Sequence, residues 1–285
     1  MAHILVVGSV NVDRIWPLDA PLRAGGRLTR RDARLHMGGG GFNTGAALLA
    51  LGHRVTLVAT LSSDAAGRAG RARLKAMGFD LGHLSANEAP TEPLDILVDP
   101  TGERTIIAPA TTEARRLTAL PPLHVDLAYV NVRRAAPGVL EALAARTRVV
   151  AQLPLEAMQR RPAQVLIASA SDHALFAGAD AFHSAQEIGG PGLAALVLTN
   201  GPGPVQISEA AGRTQVAVPP LGTPANTTGA GDAFAAGFID FWLAGETAQA
   251  AARRGSEIAA RLLAGSEGLR HALPLPLSTR LVAES

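Results

Sequence analysis

Short, largely apolar runs separated by helix-like segments constrain this 285-residue chain more than any other feature. Residues 4–8, 55–60, 127–132, 148–152, 164–168 and 195–199 are such runs. A strand this hydrophobic cannot leave one face in water, so the pattern calls for a mostly parallel sheet covered by helices on both sides. Helices are expected over 43–51, 67–77, 137–145, 230–243 and 247–263, with Gly52 and Gly78 as stops and Pro137 as a start. Residues 205–208 and 214–218 read as an antiparallel pair around Ala211-Gly212. The fold class is therefore α/β. Two stretches break the alternation. Residues 15–36 carry Pro17, Pro21, Gly25 and Gly26, and residues 93–108 read as a hairpin turning at Asp99-Pro100-Thr101-Gly102.

Composition removes several function classes. With 47% hydrophobic residues the chain can bury a sizeable core. A formal charge of +2 is too slight to point to nucleic acid. The basic pI of 9.8 comes from arginines scattered among acids and alanines, since Lys75 is the sole lysine. Cysteine is absent, which excludes disulfides and thiolate metal sites, and the eight histidines show no metal-ligand spacing. The opening residues run straight into a strand with no basic region or cleavage site, and no apolar run approaches a membrane span. The expectation is a soluble, cytoplasmic protein with ATP at hand.

Chemistry concentrates at two glycine clusters. In Asn226-Thr227-Thr228-Gly229-Ala230-Gly231-Asp232, three small residues lead to a carboxylate where an apolar helix begins. Backbone N–H groups bared at Gly229, Ala230 and Gly231 can cradle an anion at the positive end of the helix dipole. Asp232 beside such a hole is suited to take a proton from an alcohol while the hole stabilises a transferring phosphoryl group. The plainer reading makes Asp232 a helix cap. The second cluster, Gly38-Gly39-Gly40-Gly41-Phe42-Asn43-Thr44-Gly45, also opens into a helix, and upstream Gly8-Ser9-Val10-Asn11-Val12-Asp13 runs out of the first strand. Asn11 and Asp13 offer an amide and a carboxylate suited to vicinal hydroxyls, or are ordinary turn residues. Gly39 and Gly40 permit close approach of a ligand, and Asn43 reads as a sugar contact or an N-cap.

Taken together, Gly-Ser-Val-Asn-Val-Asp, Gly-Gly-x-Gly-x-Asn and Thr-Gly-Ala-Gly-Asp, in this order over roughly residues 3–265, resemble the ribokinase-like (PfkB-type) family of carbohydrate and nucleoside kinases. The resemblance implies a three-layer α/β/α sandwich as a single domain over 1–285, with a small β lid from segments near 12–36 and 93–108. It implies that Asn11, Asp13, Gly39 and Asn43 bind the sugar, with Gly40 beside them, and that Asp232 is the base. It further implies ATP and magnesium, and a homodimer through the lid, for which Ile15, Trp16, Leu94, Ile96, Ile106 and Ile107 supply apolar surface. On the nucleotide side, Thr199 and Gly201 resemble a Thr-x-Gly-x-x-Gly turn with one residue missing, and Ser256 falls where family members line the adenine pocket.

This sequence departs from the pattern in three places. The Asn-x-x-Glu motif that orders water and magnesium corresponds to Ser169-Ala170-Ser171-Asp172, so magnesium is expected mainly through ATP and water. Asn226 replaces an Asp that helps bind a monovalent cation, so dependence on such a cation is not inherited. Arg133, after the 127–132 strand, stands where ribokinases carry an acid; it reads as a contact to a phosphate or carboxylate on the substrate, or as a solvated residue. A Walker motif and a dinucleotide fingerprint are both absent. The expected function is ATP-dependent phosphorylation of a primary hydroxyl on a sugar or nucleoside. The rival is a weak or inactive homologue that binds such a ligand.

Overall fold

The computed structural model describes residues 1–153, 159–171, 176, 178, 180–222 and 227–265. Thirteen strands and seven helices occur among them. Nine strands form the central sheet: β1 (His3–Gly8), β4 (Arg54–Ser62), β5 (Leu84–Asn87), β8 (Leu127–Asn131), β9 (Val149–Gln152), β10 (Val165–Ser169), β11 (Ala195–Asn200), β12 (Gly203–Glu209) and β13 (Gly212–Val216). Their order is β13-β12-β11-β10-β9-β8-β1-β4-β5; β5 through β11 are mutually parallel, and β12 and β13 close one edge antiparallel.

Alternation along the strands splits the core in two. On β1, Ile4 and Val6 face one layer, and Leu5 and Val7 the other. The first layer is covered by α1 (Gly40–Ala50), α2 (Ala65–Ala76), α6 (Ala230–Leu243) and α7 (Ala248–Leu263). The second is covered by α4 (Val139–Ala144) and α5 (Ala181–Gly189). This is the three-layer sandwich expected. Phe42, Tyr129 and Phe238 are each at most 1% exposed in the first layer, and a buried aromatic of this kind contributes about 2–3 kcal/mol. The pair α6–α7 packs backbone to backbone, because a β-carbon on Gly237 would come within 3.0 Å of the Arg254 carbonyl and the Gly255 α-carbon.

Four strands form a second, smaller sheet in the order β3-β2-β6-β7, built from β2 (Asn11–Pro17), β3 (Arg34–Gly38), β6 (Leu94–Val98) and β7 (Arg104–Ile107). Only the β2–β6 pairing in it is parallel. The hairpin turn holds as expected: the Asp99 N–H reaches the Glu103 carbonyl at 3.0 Å, and Asp99 Oδ1 accepts the Thr101 N–H at 2.8 Å. A four-residue helix, α3 (Thr111–Ala114), follows it.

Some boundaries differ from expectation for clear reasons. Helix α1 starts at Gly40, three residues early, since the Gly41 and Phe42 amides are pinned on the Ser9 carbonyl at 3.0 and 3.2 Å. Asn43 is therefore inside the helix and is not its N-cap. Helix α4 starts at Val139, because Gly138 takes a left-handed φ of 80° as its N-cap and leaves Pro137 outside. Thr247 caps α7, accepting the Ala250 N–H at 3.2 Å. The sequence reading omitted β5 and α5.

Candidate active site

Strand order reverses beside β1: the chain runs outward through β4 and β5, then returns to the other flank with β8. Ligand crevices of open α/β sheets lie at such a point, beyond the carboxyl ends of the strands. Here those ends are Gly8 and Asn131, directly paired in register. The glycine cluster seats the start of α1 on this edge. Gly39 has φ 96° and a β-carbon there would lie 2.6 Å from the Ser9 carbonyl; one on Gly41 would lie 2.7 Å from the Gly8 carbonyl carbon. Those two glycines let backbone rest on backbone. Gly40 differs, since its β-carbon would overlap the side-chain nitrogen of Asn131.

Helix α6 docks against α1 and brings Asp232 to the same edge. Its N-cap is Gly229, in the left-handed region at φ 81°, with no side-chain cap. Asp232 sits in the first turn but does not cap it. Its carboxylate instead takes two donors from α1: Asn43 Nδ2 on Oδ2 at 3.0 Å and Thr44 Oγ1 on Oδ1 at 3.2 Å. Burial pushes Asp232 up to about 6, against the pull of Asn43, Thr44 and the Arg104 cation. At the helix start the Ala230 N–H turns back on the Thr227 carbonyl at 3.2 Å. The Gly231 N–H meets no backbone carbonyl among the described residues, and the space above its α-carbon is open.

Asp13, on β2, is only 6% exposed and lies against Gly38, where any side chain would overlap its carboxylate. Burial and then the Asp232 charge push it up to about 6, with Arg104 acting the other way. Register puts Asp13 beside Leu94 and Arg104 beside Val98, so Arg104 projects from the same face of the small sheet as Asp13. Asn11 Oδ1 accepts from Arg115 Nη1 at 3.4 Å. The expected acids and amides of both clusters thus converge. The sequence reading missed Thr44, Tyr129, Asn131, Arg104 and Arg115. Thr44 alone carried a signal, as a polar residue in the apolar helix of the cluster.

The remaining candidates divide. Ser169 and Thr199 are register partners at the carboxyl ends of β10 and β11. Thr199 Oγ1 donates to the Ala168 carbonyl at 3.2 Å, and the Ser169 and Ser171 hydroxyls are 2.7 Å apart. Gly201 takes φ 51° in the exposed β11–β12 turn. Ser256 is 4% exposed and its hydroxyl donates to the Ala252 carbonyl at 3.0 Å, on a helix packed closely against α6. Arg133 is exposed, and its carbonyl accepts from Arg161 Nη2 at 3.3 Å. Asp172 and Asn226 lie outside the described residues. Ile96 is buried at 3% exposure, whereas Ile106 and Ile107 are 52% and 54% exposed on edge strand β7. Trp16 is held by Asp95 at 2.6 Å with the Arg30 guanidinium 3.7 Å from its ring centroid.

No helix among the described residues is long and apolar enough to cross a membrane. The chain's fold has solved counterparts. Ribokinase of Thermotoga maritima matches with a TM-score of 0.71 and 18% identity, over 96% of this chain and 97% of that one. A Burkholderia thailandensis nucleoside kinase in complex with inosine matches at 0.72 and 20%, over 95% and 93%. Ribokinase of Cryptococcus neoformans var. grubii in complex with ADP matches at 0.73 and 18%, over 96% and 97%. No curated protein sequence matches. The family model for pfkB family carbohydrate kinases matches residues 1–134 and 135–275. With nearly the whole chain covered, the protein belongs to the pfkB family of carbohydrate kinases.

Proposed function

We infer that the protein transfers the γ-phosphoryl group of ATP to a primary hydroxyl of a sugar or nucleoside, with Asp232 as the base. One observation carries this reading: Asp232 is fixed by two donors at the mouth of α6, and burial raises it to about 6, within reach of neutral pH as a proton acceptor. The alcohol proton passes to Asp232 as its oxygen bonds to the γ-phosphorus, and the bond from that phosphorus to the β-phosphate oxygen breaks to release ADP. The Gly229–Gly231 turn, through the open Gly231 amide, offers a donor to the charge on the phosphoryl oxygens. Asp13, Asn11 and Asn43 present a carboxylate and two amides to the acceptor hydroxyls, over the floor made by Gly39 and Gly40.

Ribokinase with ADP and a nucleoside kinase with inosine share this fold, which supports a nucleotide donor and either acceptor class. The hydroxyls of Ser169 and Ser171, 2.7 Å apart, are neutral oxygen donors that fit magnesium carried on the nucleotide's phosphates and water. When bound, magnesium neutralises charge on the β- and γ-phosphates. Ser169, Thr199 and Gly201 mark the nucleotide side, where the β10 and β11 ends meet. The small sheet acts as a lid that excludes water from the phosphoryl group, and the exposed Ile106 and Ile107 serve a homodimer contact. The rival, a binding-only homologue, draws on Ser169, whose hydroxyl engages Ser171.

Measuring ADP release across a panel of sugars and nucleosides separates the two readings, with Asp232→Asn as control. Loss of the base should lower turnover at least about a hundredfold. Near-wild-type turnover in that variant, or tight binding without ADP release across the panel, would overturn the assignment. Arg133→Ala is expected to weaken an anionic acceptor more than a neutral one; equal effects would remove its role in recognising substrate charge.

A further inference from the structure

We propose that the buried Arg161 guanidinium is a fixed cation behind the crevice wall, held there to favour an oxyanion at the carboxyl end of β8. Arg161 is 1% exposed and is the bulkiest of the fully buried side chains. Its Nη2 donates to the Val132 carbonyl at 2.6 Å and to the Arg133 carbonyl at 3.3 Å. Its Nε and Nη1 are enclosed and meet no acceptor among the described residues. No carboxylate pairs with it among those residues either. Burial lowers its pKa to about 10, so the charge persists at neutral pH. A buried charge without a counter-charge is unfavourable, and a methionine would fill similar space without that penalty. The two carbonyl dipoles answer part of the charge, and the remainder is unmatched.

Its place in the fold gives that remainder a use. Val132 follows Asn131, the last residue of β8, which pairs with Gly8 at the ligand edge. Asn131 also lies against Gly40 at the start of α1. Residues 159 and 161 grip the chain just beyond this edge, since Gln159 Oε1 accepts the Ala135 N–H at 3.2 Å. An oxyanion arriving here meets carbonyl oxygens at the strand end, which repel it. Arg161 engages two of them and sets a full positive charge behind them. The acids of the site are answered from elsewhere, because Arg104 is the cation bearing on Asp13 and Asp232. With its nitrogens enclosed, Arg161 acts through its field and does not touch the ligand. That a phosphoryl or acid group comes to this edge rests on the kinase reading above; the unmatched charge does not.

Inorganic phosphate is the probe, read by thermal melts of the nucleotide-free protein over rising concentration. A unit charge about 10 Å away, at an effective dielectric of about 20, changes a binding constant roughly tenfold. Arg161→Met should therefore need about ten times more phosphate than wild type for the same rise in Tm. Arg161→Lys disturbs the packing and the planar fork but keeps the charge, and should stay within about twofold of wild type. Arg161→Gln, neutral and still a donor, replaces the Met variant should that one not fold. Repeating the melts at saturating ADP, and at a saturating unreactive ATP analogue, separates the sources of the anion. Displacement of phosphate by both assigns the nucleotide's inner phosphates, by the analogue alone its terminal phosphate, and by neither an acid group on the acceptor. A wild type indifferent to phosphate, equal dependence in wild type and the neutral variant, or equal losses in the neutral and Lys variants would each overturn the proposal. The melts use no acceptor, so a chain that releases no ADP across the acceptor panel refutes the kinase reading and leaves this result standing.

Discussion

Replacing Asp232 by Asn should make the protein more stable while removing its activity, and the gain should depend on pH. Folding raises Asp232 from 3.8 to about 6, so the native state holds the carboxyl proton more tightly than the unfolded chain does. Below about pH 4 the group is neutral in both states and folding loses nothing. As pH climbs from about 4 to about 6 the unfolded chain ionises first, and stability falls. Above about pH 6 the whole difference, about two units or 3 kcal/mol, weighs against the fold. The substituted amide carries no charge and escapes that cost, but it cannot accept from both Asn43 and Thr44 as the carboxylate does. One lost hydrogen bond removes about 1 kcal/mol of the gain. The net is about 2 kcal/mol at pH 8, a rise in Tm of about 4 °C for a chain of this size. Thermal melts of wild type and Asp232→Asn at about pH 4 and pH 8 measure it. A variant no more stable than wild type at the higher pH, or an equal gap at both pH values, would refute the reasoning.

Three other substitutions bear on the same site. Gly41→Ala forces a β-carbon to 2.7 Å from the Gly8 carbonyl carbon, where backbone cannot yield, and should cost about 2–3 kcal/mol in a denaturant melt. Gly40→Ala meets only the movable Asn131 side chain, so stability should fall by under about 1 kcal/mol while acceptor KM rises; equal losses of stability would contradict the packing account. Arg104→Ala removes the cation that favours ionisation of both acids, so Asp13 and Asp232 should titrate higher and the acid limb of activity should move upward. An unmoved profile would show that Arg104 does not face them.

The layers of the fold were legible because β1, β4, β8, β9, β10 and β11 are largely buried on both faces and must be mostly apolar. Strand β5 was not, since Leu84 is its one buried residue and Ser85, Ala86 and Asn87 lie exposed at the sheet edge. Helix α5 left a trace that went unread: Ala181, Ala185 and Ile188 recur at helical spacing and are its buried face. At the candidate site, local motifs singled out Gly39, Gly40, Gly229 and Gly231 together with Asp13 and Asp232, which the structure gathers about the starts of α1 and α6. They could not find Tyr129 or Asn131. Those stand at the same sheet edge because β8 lies next to β1, a neighbour relation made by the chain's return across the sheet. Arg104 was hidden likewise, since its aim depends on the β6–β7 register. Ser256, singled out by the resemblance, is enclosed by close helix packing, a feature that no local motif reveals.

The bonds that fix Asp232 join residues 189 and 188 positions apart, from helices near opposite ends of the chain. Ribosomal synthesis makes β1, the small sheet and α1 long before α6 exists. Throughout that interval Asn43 and Thr44 have no carboxylate to meet, and the nascent chain holds half a site. Closing so long a loop comes late in folding, after local and neighbouring strand contacts have formed. The Asp232 carboxylate thus joins its two donors only with α6, after most of the described elements have been made.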